Sequence, residues 1–157
     1  MFRIFFLFLA SLFLVISFYP LANAGEEKSG LSDALVLQVM SKLRPRVKDL
    51  KISSTDFVGE ETTEELADPL VTVEEARVAI RRGVISGFAE WCGLHWGKKS
   101  FEPFMRKMRE NKNFSKKKIA YFGALHGYGM GSADASVKKK GECQEDDRQK
   151  YKSYLID

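Results

Sequence analysis

Cysteine and histidine each occur only twice in 157 residues, and proline only four times. Two cysteines are too few to frame a disulfide-stapled miniprotein. Two histidines without a cluster of further ligands make an incomplete metal set. No apolar run reaches the roughly 20 residues of a spanning helix, and 29% of the residues are charged, which excludes a multi-span membrane protein. The 12 glycines form no loop that follows a strand and ends in a lysine-serine pair, so a phosphate-cradling nucleotide site is excluded. Lysine and arginine are missing altogether from residues 52–76. This composition leaves room for one globular domain with a modest core.

What is present begins with an export-type leader. Arg3 supplies a basic start, and Ile4 to Phe18 form an apolar stretch broken only by Ser11 and Ser17. Ala22-Asn23-Ala24 then places small residues where a signal peptidase needs them. The expectation is a signal peptide over 1–24, cleaved before Gly25, with no stable membrane span afterwards and a periplasmic or extracellular destination. Removing 24 of 157 residues leaves 133, with 24 basic residues against 21 acidic ones and half of the phenylalanines gone. In an oxidising compartment Cys92 and Cys143 are expected to pair.

The rest divides into an N-terminal helical segment (25–51), an acidic linker or loop (52–71) and a disulfide-stapled helical core (72–157). Leu31, Leu35, Val39 and Leu43 recur at helical spacing, and Pro45 should end or kink that helix. Thr72-Val73-Glu74-Glu75 fits a capping box. The helix it opens should run to about Trp96, with Ile80, Val84, Phe88, Trp91 and His95 along one side. Ser100 should cap a helix carrying Phe101, Phe104, Met105 and Met108 inward. Ser115 should open another with Ile119, Phe122, His126 and Met130 on one face, and a short helix from Glu142 to Leu155 closes the chain. The fold expected is all-α, a bundle of four to five helices with a core of Ile80, Val84, Phe88, Trp91, Phe104, Met108, Ile119 and Phe122. Two rows of small residues, Ala79/Gly83/Gly87 and Gly123/Gly127/Gly131, stand four apart. Helical glycine costs about 1 kcal/mol against alanine, so close helix packing should compensate. The second row reads equally as a helix fraying into a loop.

Chemistry is sparsely signalled. Gly83-Val84-Ile85-Ser86-Gly87 sits inside a helix with its serine one place too late for a nucleophile elbow. Cys92-Gly93-Leu94-His95 lacks the second cysteine and adjacent histidine of a haem attachment. Carboxylates on the acidic loop have nothing to perturb them into acids or bases at neutral pH. A copper site using His95, His126 and Met130 is conceivable, since imidazole and thioether suit that metal; core histidines are the plainer reading. No catalytic residue and no cofactor is therefore expected.

Charge says more. Residues 77–118 carry 12 basic side chains against Glu90, Glu102 and Glu110, after a stretch with eight acids. The plainer reading lays the acidic stretch over the basic helices through weak surface pairs. The functional one takes Lys116, Lys117 and Lys118, at a helix start where the macrodipole disfavours cations, together with Arg106 and Arg109, as a place for an anion. Nucleic acid is not expected, because no aromatic-interleaved basic motif is present. The expected function is a non-catalytic interaction or accessory protein of the cell envelope, binding a protein partner or an anionic envelope surface. A copper-binding protein and a chaperone-like or immunity-type protein are the alternatives. In outline alone (leader, helices, one bridge closing some 50 residues) the chain is similar to small periplasmic acid-stress chaperones and secreted-effector immunity proteins.

Overall fold

The computed structural model describes residues 30–52 and 55–155. The leader expected over 1–24 lies outside these residues. The described chain is all-α: α1 (Asp33–Leu43) continues into a 3-10 turn (Arg44–Asp49), followed by a five-residue helix α2 (Thr63–Ala67) and the long α3 (Val73–Trp91). A π turn (Gly97–Phe101) leads into α4 (Glu102–Glu110), then α5 (Lys116–Val137) and α6 (Glu145–Tyr154). An isolated bridge between Lys51 and Phe57 is the one β pairing among the described residues. No helix among them is long and apolar enough to cross a membrane.

The α3–α5 pair forms the spine, and it packs backbone to backbone. A Cβ at Gly83 would overlap the His126 carbonyl oxygen, and one at Gly129 would overlap that of Ile80. At Gly87 it would fall 2.7 Å from Ala133 Cβ and 2.8 Å from Met130 O. The first glycine row therefore packs as expected, but the second is corrected. Gly127 and Gly131 face open space, and Gly129, between them, is the residue that meets α3. The expected core shifts with it. Ala76, Ala79, Ile80, Gly83, Ser86 and Gly87 are the buried face of α3, while Val84, Phe88 and Trp91 are only half-buried. The aromatic stripe serves the C-terminal segment instead. Phe88 stacks on Tyr151 of α6 at 4.7 Å, and Trp91 Nε1 donates to Gly141 O at 2.9 Å.

Helix ends account for the remaining differences. α3 stops at Trp91, not near Trp96, because Gly93 takes φ +67°. Its N–H bonds Glu90 O and that of Leu94 bonds Ala89 O, each at 2.8 Å, which closes the helix in a Schellman motif. His95 is thereby set in an exposed loop and not on the α3 face. Ser100 caps nothing; it lies buried in the π turn that leads into α4. Pro45 falls at the start of the 3-10 turn, where its missing N–H is harmless, so the chain tightens without breaking. α5 runs through its glycines to Val137, and the last helix starts at Glu145.

Cys92, the C-cap of α3, is bonded to Cys143, two residues before α6, with their Cα atoms 5.0 Å apart. The bridge closes 51 positions, for which loop entropy gives about 4 kcal/mol. Cys92→Ser with Cys143→Ser should lower unfolding free energy by about that amount in urea titration. Gly129→Ala should cost about 1–3 kcal/mol through overpacking. Gly127→Ala, with nothing within 4 Å, should instead stabilise by about 0.5–1 kcal/mol in the same assay.

Candidate functional site

The expected anion cluster separates into two groups. Lys117 Nζ bonds Glu65 and donates to Glu60 O at 2.7 Å. Lys118 Nζ reaches both oxygens of Glu75, at 2.9 and 3.0 Å. Glu65 and Glu75 are also the capping-box carboxylates of α2 and α3, each accepting from its own threonine N–H at 2.8 Å. The Lys117 bond, helped by the Thr62 N–H, holds the Glu65 carboxyl below its usual range. Burial pushes the Glu75 carboxyl up, but Lys118 and Thr72 outweigh it and leave it lowered. Arg44 binds Glu61 and the carbonyls of Glu65 and Asp68, and Lys48 pairs with Glu60 at 2.9 Å. The acidic stretch is thus a strap fastened over the bundle.

The basic residues of α4 and of the turn that follows it face water. Arg106, Lys107, Arg109, Lys112 and Lys116 are exposed and make no ion pair among the described residues. They run down the outer side of α4, around the Asn111–Ser115 turn and onto the start of α5. Ser115 Oγ accepts from the Lys118 N–H at 3.1 Å and so fixes that start.

Beside this face a cleft of about 480 Å³ opens between α4 and α5. Phe101, Met105 and Arg109, four apart, supply one wall, and Leu50, Lys51 and Ile52 another. The floor is α5, where Lys116, Ile119, Ala120, Gly123 and Ala124 share one side. Gly123, expected to pack tightly, has only Met105 Cε near, 3.8 Å from where its Cβ would lie. Sequence reasoning missed the cleft. Its signal was the small trio Ala120, Gly123 and Ala124 at i, i+3 and i+4.

Of the three copper candidates, Met130 is half-buried on α5. His95 is exposed, and Cys92 is spent in the disulfide. His126 is 2% exposed, with Nε2 3.0 Å from Ser86 Oγ, which in turn donates to Ser100 Oγ at 3.0 Å. No group of three or more His, Cys, Asp or Glu among the described residues could hold a metal ion. The two serines went unpredicted as partners because they come from different elements, 14 and 40 positions from the residues they meet. A hydroxyl–imidazole pair has the atoms of a nucleophile and its base. Here both serines have no exposed surface, so in this conformation the trio is a clasp joining α3, the π turn and α5. Trp96, Phe101 and Phe104 surround the imidazole at 4.8–6.3 Å between ring centroids.

Compared with known proteins, the chain matches no family model, no curated protein and no solved structure.

Burial, with a smaller push from the Arg82 guanidinium, lowers the His126 pKa from 6.5 to about 4. The unfolded chain then binds the extra proton first, so stability is full above about pH 6.5 and falls as pH drops towards 4. The loss should reach at most about 3 kcal/mol. Denaturant titrations between pH 7 and 4 should show it, and His126→Gln should flatten the profile in that window. The contributions of Glu65 and Glu75 disappear lower, below their ordinary carboxylate range.

Proposed function

We propose that this chain is an exported, non-catalytic interaction or accessory protein of the cell envelope, which engages an anionic partner surface through the outer side of α4 and the α4–α5 turn. The observation that carries the reading is the division of the basic residues. Lys117 and Lys118 are neutralised inside the fold by Glu65 and Glu75, whereas Arg106, Arg109, Lys112 and Lys116 stand exposed without acidic partners among the described residues. Charges left unpaired on one face create a field that steers an oppositely charged surface and sets its orientation. Export rests on the leader pattern, and a disulfide is in keeping with an oxidising compartment. The absence of exposed surface on Ser86 and Ser100 supports a non-catalytic reading.

The test is charge reversal with binding to vesicles of anionic and of zwitterionic lipid, and to envelope extract, at low and high salt. Arg106→Glu with Lys112→Glu should weaken association with anionic vesicles or with an acidic partner at least tenfold and flatten its salt dependence. Lys117→Glu with Lys118→Glu should mainly lower the melting temperature, because it sets like charges against Glu65 and Glu75. Binding that ignores both ionic strength and the first pair of substitutions would rule the reading out.

A further inference from the structure

We propose that the cleft between α4 and α5 binds one long-chain fatty acid, with its carboxylate on Arg109 and Lys116 and its chain along Ala120, Gly123 and Ala124. The proposal takes its charge from the anion-binding reading above, but its apolar part stands on the cleft alone. The cleft has polarity along its length. Arg109 lies in the last turn of α4 and Lys116 at the first residue of α5, so the short α4–α5 turn places both cations at one end. The rest of the lining is Phe101, Met105, Ile119, Leu50 and Ile52 over a floor of small residues, with Lys51 beside them, its ammonium over the Phe57 ring. A cationic end followed by an apolar trough is complementary to an anionic head on a hydrocarbon tail.

The size agrees. About 480 Å³ falls within the roughly 300–1,000 Å³ of small-ligand sites. From Lys116 to Ala124 the helix rises about 12 Å, which suits a single chain in one file better than a two-chain lipid. Arg109 brings a planar fork that matches a carboxylate with two hydrogen bonds, and Lys116 adds a point charge. A smaller cleft on the other edge of α4, about 260 Å³, is also apolar, but Glu74 and Glu75 line it. Those acids are already paired with Arg77 and Lys118, which leaves that cleft no unspent cation for a carboxylate head.

Titration calorimetry of the disulfide-bonded protein with octanoate, decanoate, dodecanoate and tetradecanoate, each below its micelle concentration, tests this. One molecule should bind per chain, with affinity rising about threefold to fourfold per methylene until the trough is full, then levelling. Dodecyltrimethylammonium should bind at least tenfold more weakly than dodecanoate. Arg109→Gln with Lys116→Gln should lower dodecanoate affinity at least tenfold. Gly123→Phe fills the trough from a position with no backbone neighbour, and should abolish binding while the melting transition stays cooperative; Ala124→Phe provides a second plug should the first unfold the protein. Binding that survives both plugs, or that ignores chain length, overturns the proposal. So does association with anionic vesicles in the absence of any fatty-acid binding, an outcome that leaves the envelope-surface reading intact. Cleft substitutions that instead change the oligomeric state would assign the trough to a second copy of the chain, and would equally overturn it.

Discussion

The rest of the structure depends on α3 and α5 meeting backbone to backbone. Gly83, Gly87 and Gly129 allow it, since each stands where a Cβ would collide with a carbonyl oxygen, a Cβ or a backbone atom of the facing helix. The contact gives up side-chain burial and, through its glycines, about 1 kcal/mol of helix propensity at each. In return it brings many atom pairs of two long helices to contact distance and fixes their register, because a slide of one residue would drive a side chain into the opposing backbone. Large apolar residues then have no place in the seam and move to its flanks. Phe88 and Trp91 receive the C-terminal segment, while Phe104 and Phe122 meet edge to face at 6.0 Å under α4.

Close approach also explains the buried polar trio. At the seam the backbones leave just enough room for Ser86 to touch His126, and the π turn brings Ser100 to complete the chain of hydrogen bonds. Neutral imidazole is the form that such a site tolerates, since a buried cation without a counter-charge would cost far more than the hydroxyl bond returns. The same logic, reversed, governs the start of α5. Three lysines there oppose the helix dipole, and the fold answers with Glu65 and Glu75. Each of these carboxylates caps its own helix and neutralises a lysine of another. The strap and the spine are thereby joined by residues that serve local and tertiary order at once.

Local rules could be read from the sequence wherever the cause was local. The Thr72/Glu75 capping box, the Ser115 start of α5 and the helical character of 72–155 follow from spacing, the Cys92–Cys143 pair is what an oxidising compartment would favour, and the structure has all of them. Gly93 was equally readable as a helix stop, yet the apolar periodicity continuing to His95 masked it. The errors over the core share one origin. Periodicity extends the stripe of Ile80 through Val84, Phe88 and Trp91, whereas the spine joins Ile80 to the small residues Ala76, Ala79, Gly83, Ser86 and Gly87, and no single helix states which stripe its neighbour will choose. Ser86, Ser100 and the cleft were hidden for the same reason, being products of three or more elements coming together.

Small residues have opposite consequences on two sides of α5, and this difference is what creates a candidate site. Gly129 and Ala133 face α3, whose own glycines let its backbone come down and fill the space. Ala120, Gly123 and Ala124 face α4, which cannot descend. The Phe104–Phe122 contact holds it off along one edge, and Phe114, 5.6 Å from Phe122, closes that edge further. Only the flexible end of Met105 reaches towards Gly123. A stripe of small residues thus makes a tight seam when the neighbour is equally bare, and a trough when aromatic spacers keep the neighbour away. Because the spacers lie on one edge of α4, the trough opens on the other, and there the turn into α5 leaves Arg109 and Lys116 without acidic partners among the described residues. Apolar space and unspent positive charge therefore coincide through the packing of one short helix.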